Sequence, residues 1–310
     1  MSSTSKFNGL SDKMKGITFI LISALAFALM SAFVKLAGPL PSFQKVFFRN
    51  IVAAFVAAYL IHKHHGSYVG KKESRKLIYL RTITGTLGIL FNFYAIDHLV
   101  LSDANMLNKL SPLFVIIFSF IFLKESINMK QIIAIVVAFA GALLIIKPSF
   151  NADMIPGIAG ILGAVGAGLA YTCLRALGKS EPYYTTVFIF SALSSLIVLP
   201  FALWFYVPMT FGQFALLMLA GVCATISQFS LTLAYGFAPA KDISIFDYTN
   251  VIFSAVISAA LFGVLPDWWS VIGYGVIFAS ALYMYFYAKK LDAIAEEEGK
   301  HIHHATPTAQ

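Results

Sequence analysis

The chain has 310 residues, 59% of them hydrophobic and only 12% charged, with a formal net charge of +8. No soluble domain of this size carries so many uninterrupted apolar stretches, so a water-soluble fold is excluded. The positive charge does not indicate nucleic acid, because the basic residues fall where membrane topology puts them.

A helix crossing the hydrocarbon layer needs about 20 apolar residues. Ten runs qualify, at 17–37, 44–61, 77–98, 102–123, 128–146, 156–176, 184–203, 212–235, 242–262 and 268–288. Backbone groups in lipid must pair within their own segment, and the alternation of a barrel is lacking, so the runs read as helices. The first run has no small-residue cleavage site and continues to spanning length, which makes it a helix and not a removed signal peptide. Sixteen of the 22 Lys and Arg fall on one side of the resulting topology, against Lys45 and Lys147 in the opposite loops. This bias predicts cytoplasmic tails at 1–15 and 291–310, the second polar and disordered, in a multi-pass protein of the cytoplasmic membrane. Trp204, Trp268 and Trp269 then lie at the outer interface.

The last five runs retrace the first five. A shift of 139 positions sets Thr86 on Thr225, Ala95 on Ala234, Asp103 on Asp242, Phe114 on Phe253 and Ser119 on Ser258. Five passes is an odd number, so the halves enter the bilayer in opposite senses. The expected fold is all-α, ten transmembrane helices arranged as two inverted five-helix repeats, 16–147 and 156–290. Such repeats place a solute site at their interface near the midplane.

Charge within a span is costly and needs a reason. Lys109 sits in span four between Asn105, Asn108 and Pro112. Pro112 has no amide hydrogen, so a helix break there frees the Asn108 carbonyl beside an ammonium and two amides. The reading is a solute-binding face; the competing one is an interhelical clamp with a snorkelling lysine. Asp247 takes the place of Asn108 in the second half, where it could pair with Lys109 or carry a coupling proton, or simply complement a helix dipole. Arg49 is a candidate anion contact. Lys35 reads as snorkelling and Arg81 as a topology or headgroup residue. Tyr94, Phe91, Asn92, Tyr171 and Tyr248 are aromatic or amide candidates for the cavity wall. All four embedded basic residues lie in the first half, which favours anionic or zwitterionic solutes. Gly85 and Gly88, with Gly157, Gly160, Gly163, Gly166 and Gly168, read as packing residues. Cys173 and Cys223 lie inside spans and make neither a disulfide framework nor a metal site. No phosphate loop, zinc pattern or nucleotide fingerprint appears, and no cofactor is expected.

Leu101 to Phe114, closing in Leu123-Lys124-Glu125, resembles the fourth helix of EamA-type drug/metabolite transporters. Phe93-Tyr94-Ala95 and Gly141-Ala142-Leu143-Leu144 match as well, and the likeness covers roughly 16–290. It implies a ten-helix secondary transporter with a central cavity. Asn108, Pro112 and Glu125 carry over residue by residue, Glu125 more in keeping with an ion pair than with solute. The second half departs from the pattern, with Val251 in place of proline and Val264 in place of glutamate. The expected activity is transport of a small amino-acid-like, zwitterionic or anionic metabolite by alternating access. Its contacts would come from Asn105, Asn108, Lys109, Arg49, Tyr94 and Tyr248, with Asp247 for proton coupling and Pro112 as the helix break. Partners are the solute, membrane lipid and a coupled proton or exchanged solute; a homodimer is compatible with the sequence. A membrane-embedded enzyme, a channel and a non-transporting sensor stay as rivals.

Overall fold

A computed structural model describes residues 11–124, 127–147, 154–177, 180–237 and 244–305. The helices are α1 (Asp12–Leu36), α2 (Ser42–Lys63), α3 (Arg75–His98), α4 (Leu101–Asn108), α5 (Ser111–Leu123), α6 (Met129–Ile146), α7 (Ile155–Leu177), α8 (Tyr183–Trp204) and α9 (Phe211–Phe237). A 3-10 turn at Ser244–Tyr248 leads into α10 (Thr249–Phe262), and α11 (Trp268–Ala305) follows. Among the described residues no strand is present. Glu125 and Asp242 lie outside the described residues.

Among the described residues eight stretches are long and apolar enough to cross a membrane, with α4 and α5 together forming one of them, Leu101–Leu123. They coincide with the expected spans one, two, four to eight and ten. The third, α3, has 24 residues and therefore reaches ~36 Å at 1.5 Å per residue. Its hydropathy is lowered by the polar side chains of Arg81, Thr82, Thr86 and Asn92, all of them buried. The ninth is the shorter apolar segment Phe246–Phe262.

Span four is interrupted at the expected proline: α4 stops at Asn108, and α5 begins at Ser111 with Pro112 in its first turn. A proline is tolerated there because the first-turn amides have no intrahelical partner. A comparable break stands 139 residues on, where the 3-10 turn gives way to α10 between Tyr248 and Thr249. The tail after 290 is helical, not disordered, as α11 runs to Ala305. The segment Lys289-Lys290-Leu291-Asp292-Ala293-Ile294-Ala295-Glu296 is rich in strong helix formers, which extends the helix beyond its apolar part.

The principal helix contacts join the two halves of the chain. They are α1 with α9, α3 with α7, α2 with α8, and α6 with α11. α5 and α7 make a further contact, as do α1 and α10. The α3–α7 approach is backbone to backbone. A Cβ placed on Gly166 would lie 2.7 Å from Gly88 Cα, and one on Gly88 would lie 2.9 Å from the Ala167 nitrogen. Lipid supplies no hydrophobic drive between helices, so small residues that permit close contact provide the cohesion. The same approach fixes the position of Asn92 on α3, whose backbone nitrogen would be 3.1 Å from a Cβ on Gly163.

Candidate functional site

A cavity of about 70 Å³ lies between the halves. It has room for a few water molecules, less than the ~300–1,000 Å³ usual for small-molecule sites. Arg49, Arg81, Asn92, Asn108, Tyr171 and Phe27 line it. Two of these are arginines that are almost wholly buried, Arg49 at 4% exposure and Arg81 at 7%.

Each guanidinium is held by neutral partners. Arg49 donates from Nη1 to Asn50 Oδ1 at 2.6 Å. Asn50 donates in turn to Ser194 Oγ at 2.8 Å, and Thr86 donates to the same oxygen at 2.8 Å. This chain crosses α2, α8 and α3 and locks Asn50. Arg81 donates from Nη1 to the Thr186 carbonyl at 3.3 Å, and its guanidinium lies 4.5 Å from the Phe190 ring centroid. No carboxylate pairs with either arginine among the described residues. The Nε atoms of both remain without a hydrogen-bond partner, as does Asn92 Oδ1. Buried polar groups are nearly always satisfied, so three unpartnered atoms around one cavity call for an explanation.

The helix break lies beside this cavity. Asn108, the last residue of α4, lines it. The next residue, Lys109, extends Nζ to Asp247 Oδ2 at 2.5 Å. Their pairing is therefore direct. Tyr248 donates its hydroxyl to the Lys109 carbonyl at 3.2 Å, while the Leu113 amide turns to Leu110 at 2.9 Å. Each broken span thus supplies a partner for the other. Lys109 Nζ is 5.6 Å from the ring centroid of Phe27, and Phe27 is also a cavity wall.

Four readings are corrected by position. Asn105 is fully buried and engaged on both amide atoms, accepting from Ser31 at 3.2 Å and donating to Ser254 at 2.7 Å. It ties α1, α4 and α10 together, which is the clamp role and not a cavity contact. Tyr94 is not a cavity wall; its ring stacks on His98 at 4.3 Å, one helical turn further on. Lys35 does not snorkel. Its ammonium donates to the Ile96 carbonyl at 2.9 Å and to Leu99, closing the C-terminal end of α3. Arg81, read as a topology residue, is a cavity wall. The signal was available: a basic residue at the fifth position of a predicted helix, on the same face as Gly85, Gly88 and Asn92. A second ion pair also went unread, with Lys45 fully buried and 2.5 Å from Asp97. The described residues hold no cluster of three or more His, Cys, Asp or Glu suited to a metal ion.

Apolar helices of spanning length around a polar hollow define an integral membrane protein. The EamA-like transporter family matches the chain twice, over residues 14–147 and 154–286. The chain belongs to that family, and it is a membrane transporter. Among its relatives is the pseudopaline exporter CntI of Pseudomonas aeruginosa, 32% identical over 270 residues that cover 86% of this chain and 94% of that protein. The mouse solute carrier family 35 member G1 is 26% identical, over 83% of this chain and 74% of its own length. A solved crystal structure superposes with a TM-score of 0.63 over 89% of this chain and 98% of its own, at 15% identity, a likeness of fold alone.

Proposed function

We propose that the chain is a secondary carrier that moves a small anionic or zwitterionic, amino-acid-like metabolite across the cytoplasmic membrane by alternating access. One observation carries this reading: two buried guanidiniums line a single cavity and have no acidic partner among the described residues. A fixed positive charge in that setting is costly until an anion enters. Arg49 and Asn108 are the solute contacts kept from the sequence, joined by Arg81.

The halves, 16–147 and 156–290, act as inverted repeats with both termini cytoplasmic. Helix pairing between halves and the recurrence of the break 139 residues on support that arrangement. Rocking of one half against the other would expose the cavity to each side in turn. Asp247 is the coupling carboxylate: protonating it releases Lys109 and frees the two broken spans to part. The name of the Pseudomonas relative favours export as the direction.

The test is counterflow in proteoliposomes. Saturable exchange of an anionic or zwitterionic metabolite is expected, falling about tenfold or more in Arg49→Gln, since a charged hydrogen bond is lost. Asp247→Asn should remove the response to a pH gradient. Transport that ignores both substitutions would defeat the assignment.

A further inference from the structure

We propose that the solute carries two negative charges and one hydrogen-bond donor, with Arg49 and Arg81 each taking charge and Asn92 Oδ1 accepting from the donor. This rests on the carrier reading above and narrows it to a chemical class. Among the described residues eight buried side-chain atoms lack a partner, and three of them, Arg49 Nε, Arg81 Nε and Asn92 Oδ1, belong to walls of the same cavity. Two are donors on cations and the third is an acceptor, so the complement is two acceptor groups bearing charge and one N–H or O–H.

The charge balance points the same way. Lys109 and Asp247 neutralise each other at 2.5 Å, and Lys45 is matched by Asp97 at 2.5 Å. Arg49 and Arg81 have no acidic partner among the described residues, and both line the one cavity. A monoanion would leave one buried charge unmatched, whereas a dianion brings the cavity to neutrality. The arginines come from different helices, α2 and α3, and each is anchored by its own partner, so they form two separate anion contacts. Asn92 is 4% exposed and sits where α3 meets α7 at glycine contacts, which leaves it little freedom to find another partner. Two sources carry this chemistry: a dicarboxylate with a hydroxyl, and a phosphate monoester with a hydroxyl.

Purified full-length protein in detergent is titrated at mildly alkaline pH with malate, aspartate, succinate, glycerol 3-phosphate and lactate, and affinity is read by calorimetry. The dianions that carry a donor, malate and glycerol 3-phosphate, should bind about tenfold or more tightly than lactate and aspartate, each of net charge −1, and about threefold or more tightly than succinate, which has no donor. Malate in the lead assigns a dicarboxylate; glycerol 3-phosphate in the lead assigns a phosphate ester; aspartate in the lead would overturn the charge balance. Arg81→Gln should bring the dianions down to the affinity of lactate, and Asn92→Leu should bring malate down to succinate. Arg81→Lys, which keeps the charge, should keep part of the preference if the glutamine variant does not fold. Lactate binding as tightly as every dianion would overturn the proposal while leaving an anion carrier standing. Arg81→Gln that folds and keeps the full dianion preference would overturn it too. Absence of binding by any of the five would sink both readings.

Discussion

The ammonium of Lys109 lies 2.5 Å from the carboxylate of Asp247, a residue 138 positions away. Each sits where a spanning helix is broken, Lys109 just past the end of α4 and Asp247 in the 3-10 turn before α10. The pair is a tie between the two halves at the level of their interruptions. It is partly shielded, with the lysine side chain 10% exposed and the aspartate 29%.

Removing one member of this tie should cost more than removing both. Lys109→Met leaves a carboxylate without its counter-ion and should destabilise by about 2–4 kcal/mol, somewhat less than a fully buried pair because Asp247 is partly solvated. Lys109→Met with Asp247→Leu should recover most of that. Denaturant unfolding in detergent measures it; a double variant as weak as the sum of the singles would contradict the pairing.

Tyr248→Phe removes one neutral hydrogen bond, to the carbonyl that the break exposes. The expected loss is about 1 kcal/mol in the same assay. A larger loss would mean that the hydroxyl does more than cap the Lys109 carbonyl.

Gly166→Val should separate α3 from α7, because its first added carbon already lies 2.7 Å from backbone on the other helix. A cost of about 3 kcal/mol is expected, seen as a lower unfolding temperature. Gly275→Ala is the control: a Cβ there meets nothing within 4 Å, and its effect should stay within about 0.5 kcal/mol.

Asp267, at the start of α11, is held below the ordinary carboxylate value of 3.8, chiefly by its hydrogen bond from Lys147. A carboxyl whose folded value is depressed stabilises the fold above its unfolded value, and the effect disappears as pH falls through the folded one. The unfolding temperature of the native chain should therefore exceed that of Asp267→Asn at neutral pH and converge with it only in acid below about 3.8. Both side chains are substantially exposed, 40% and 52%, so the gap is well under about 1 kcal/mol and shrinks in salt. A gap that persists into strong acid would show that the carboxylate charge is not its source.

Chain-local information carried far in this protein. The apolar runs set the helices because lipid offers the backbone no other partner. Pro112 announced a break, since a missing amide hydrogen acts on its own helix wherever that helix goes. Arg49 and Asn108 were legible as cavity residues because a charge or amide within a span has few tolerable places to point. Where local rules weakened, so did the reading. Asn105 and Asn108 are three positions apart and similar in chemistry, yet one clamps three helices and the other faces the cavity. Which outcome each meets depends on Ser31 and Ser254, contributed by distant helices.

The sequence by itself determined the helices, their number and the places where charge enters the membrane, because hydrophobic length and backbone pairing are properties of single segments. Tertiary structure alone decided that Lys109 is neutralised by Asp247, that Lys35 and Lys45 are absorbed at helix ends, and that Arg49 and Arg81 are left facing one cavity without a counter-charge. The reason is electrostatic: the meaning of a buried cation is set by what lies within a few ångströms of it, and for Lys35, Lys45, Lys109 and Arg81 that neighbour comes from another helix.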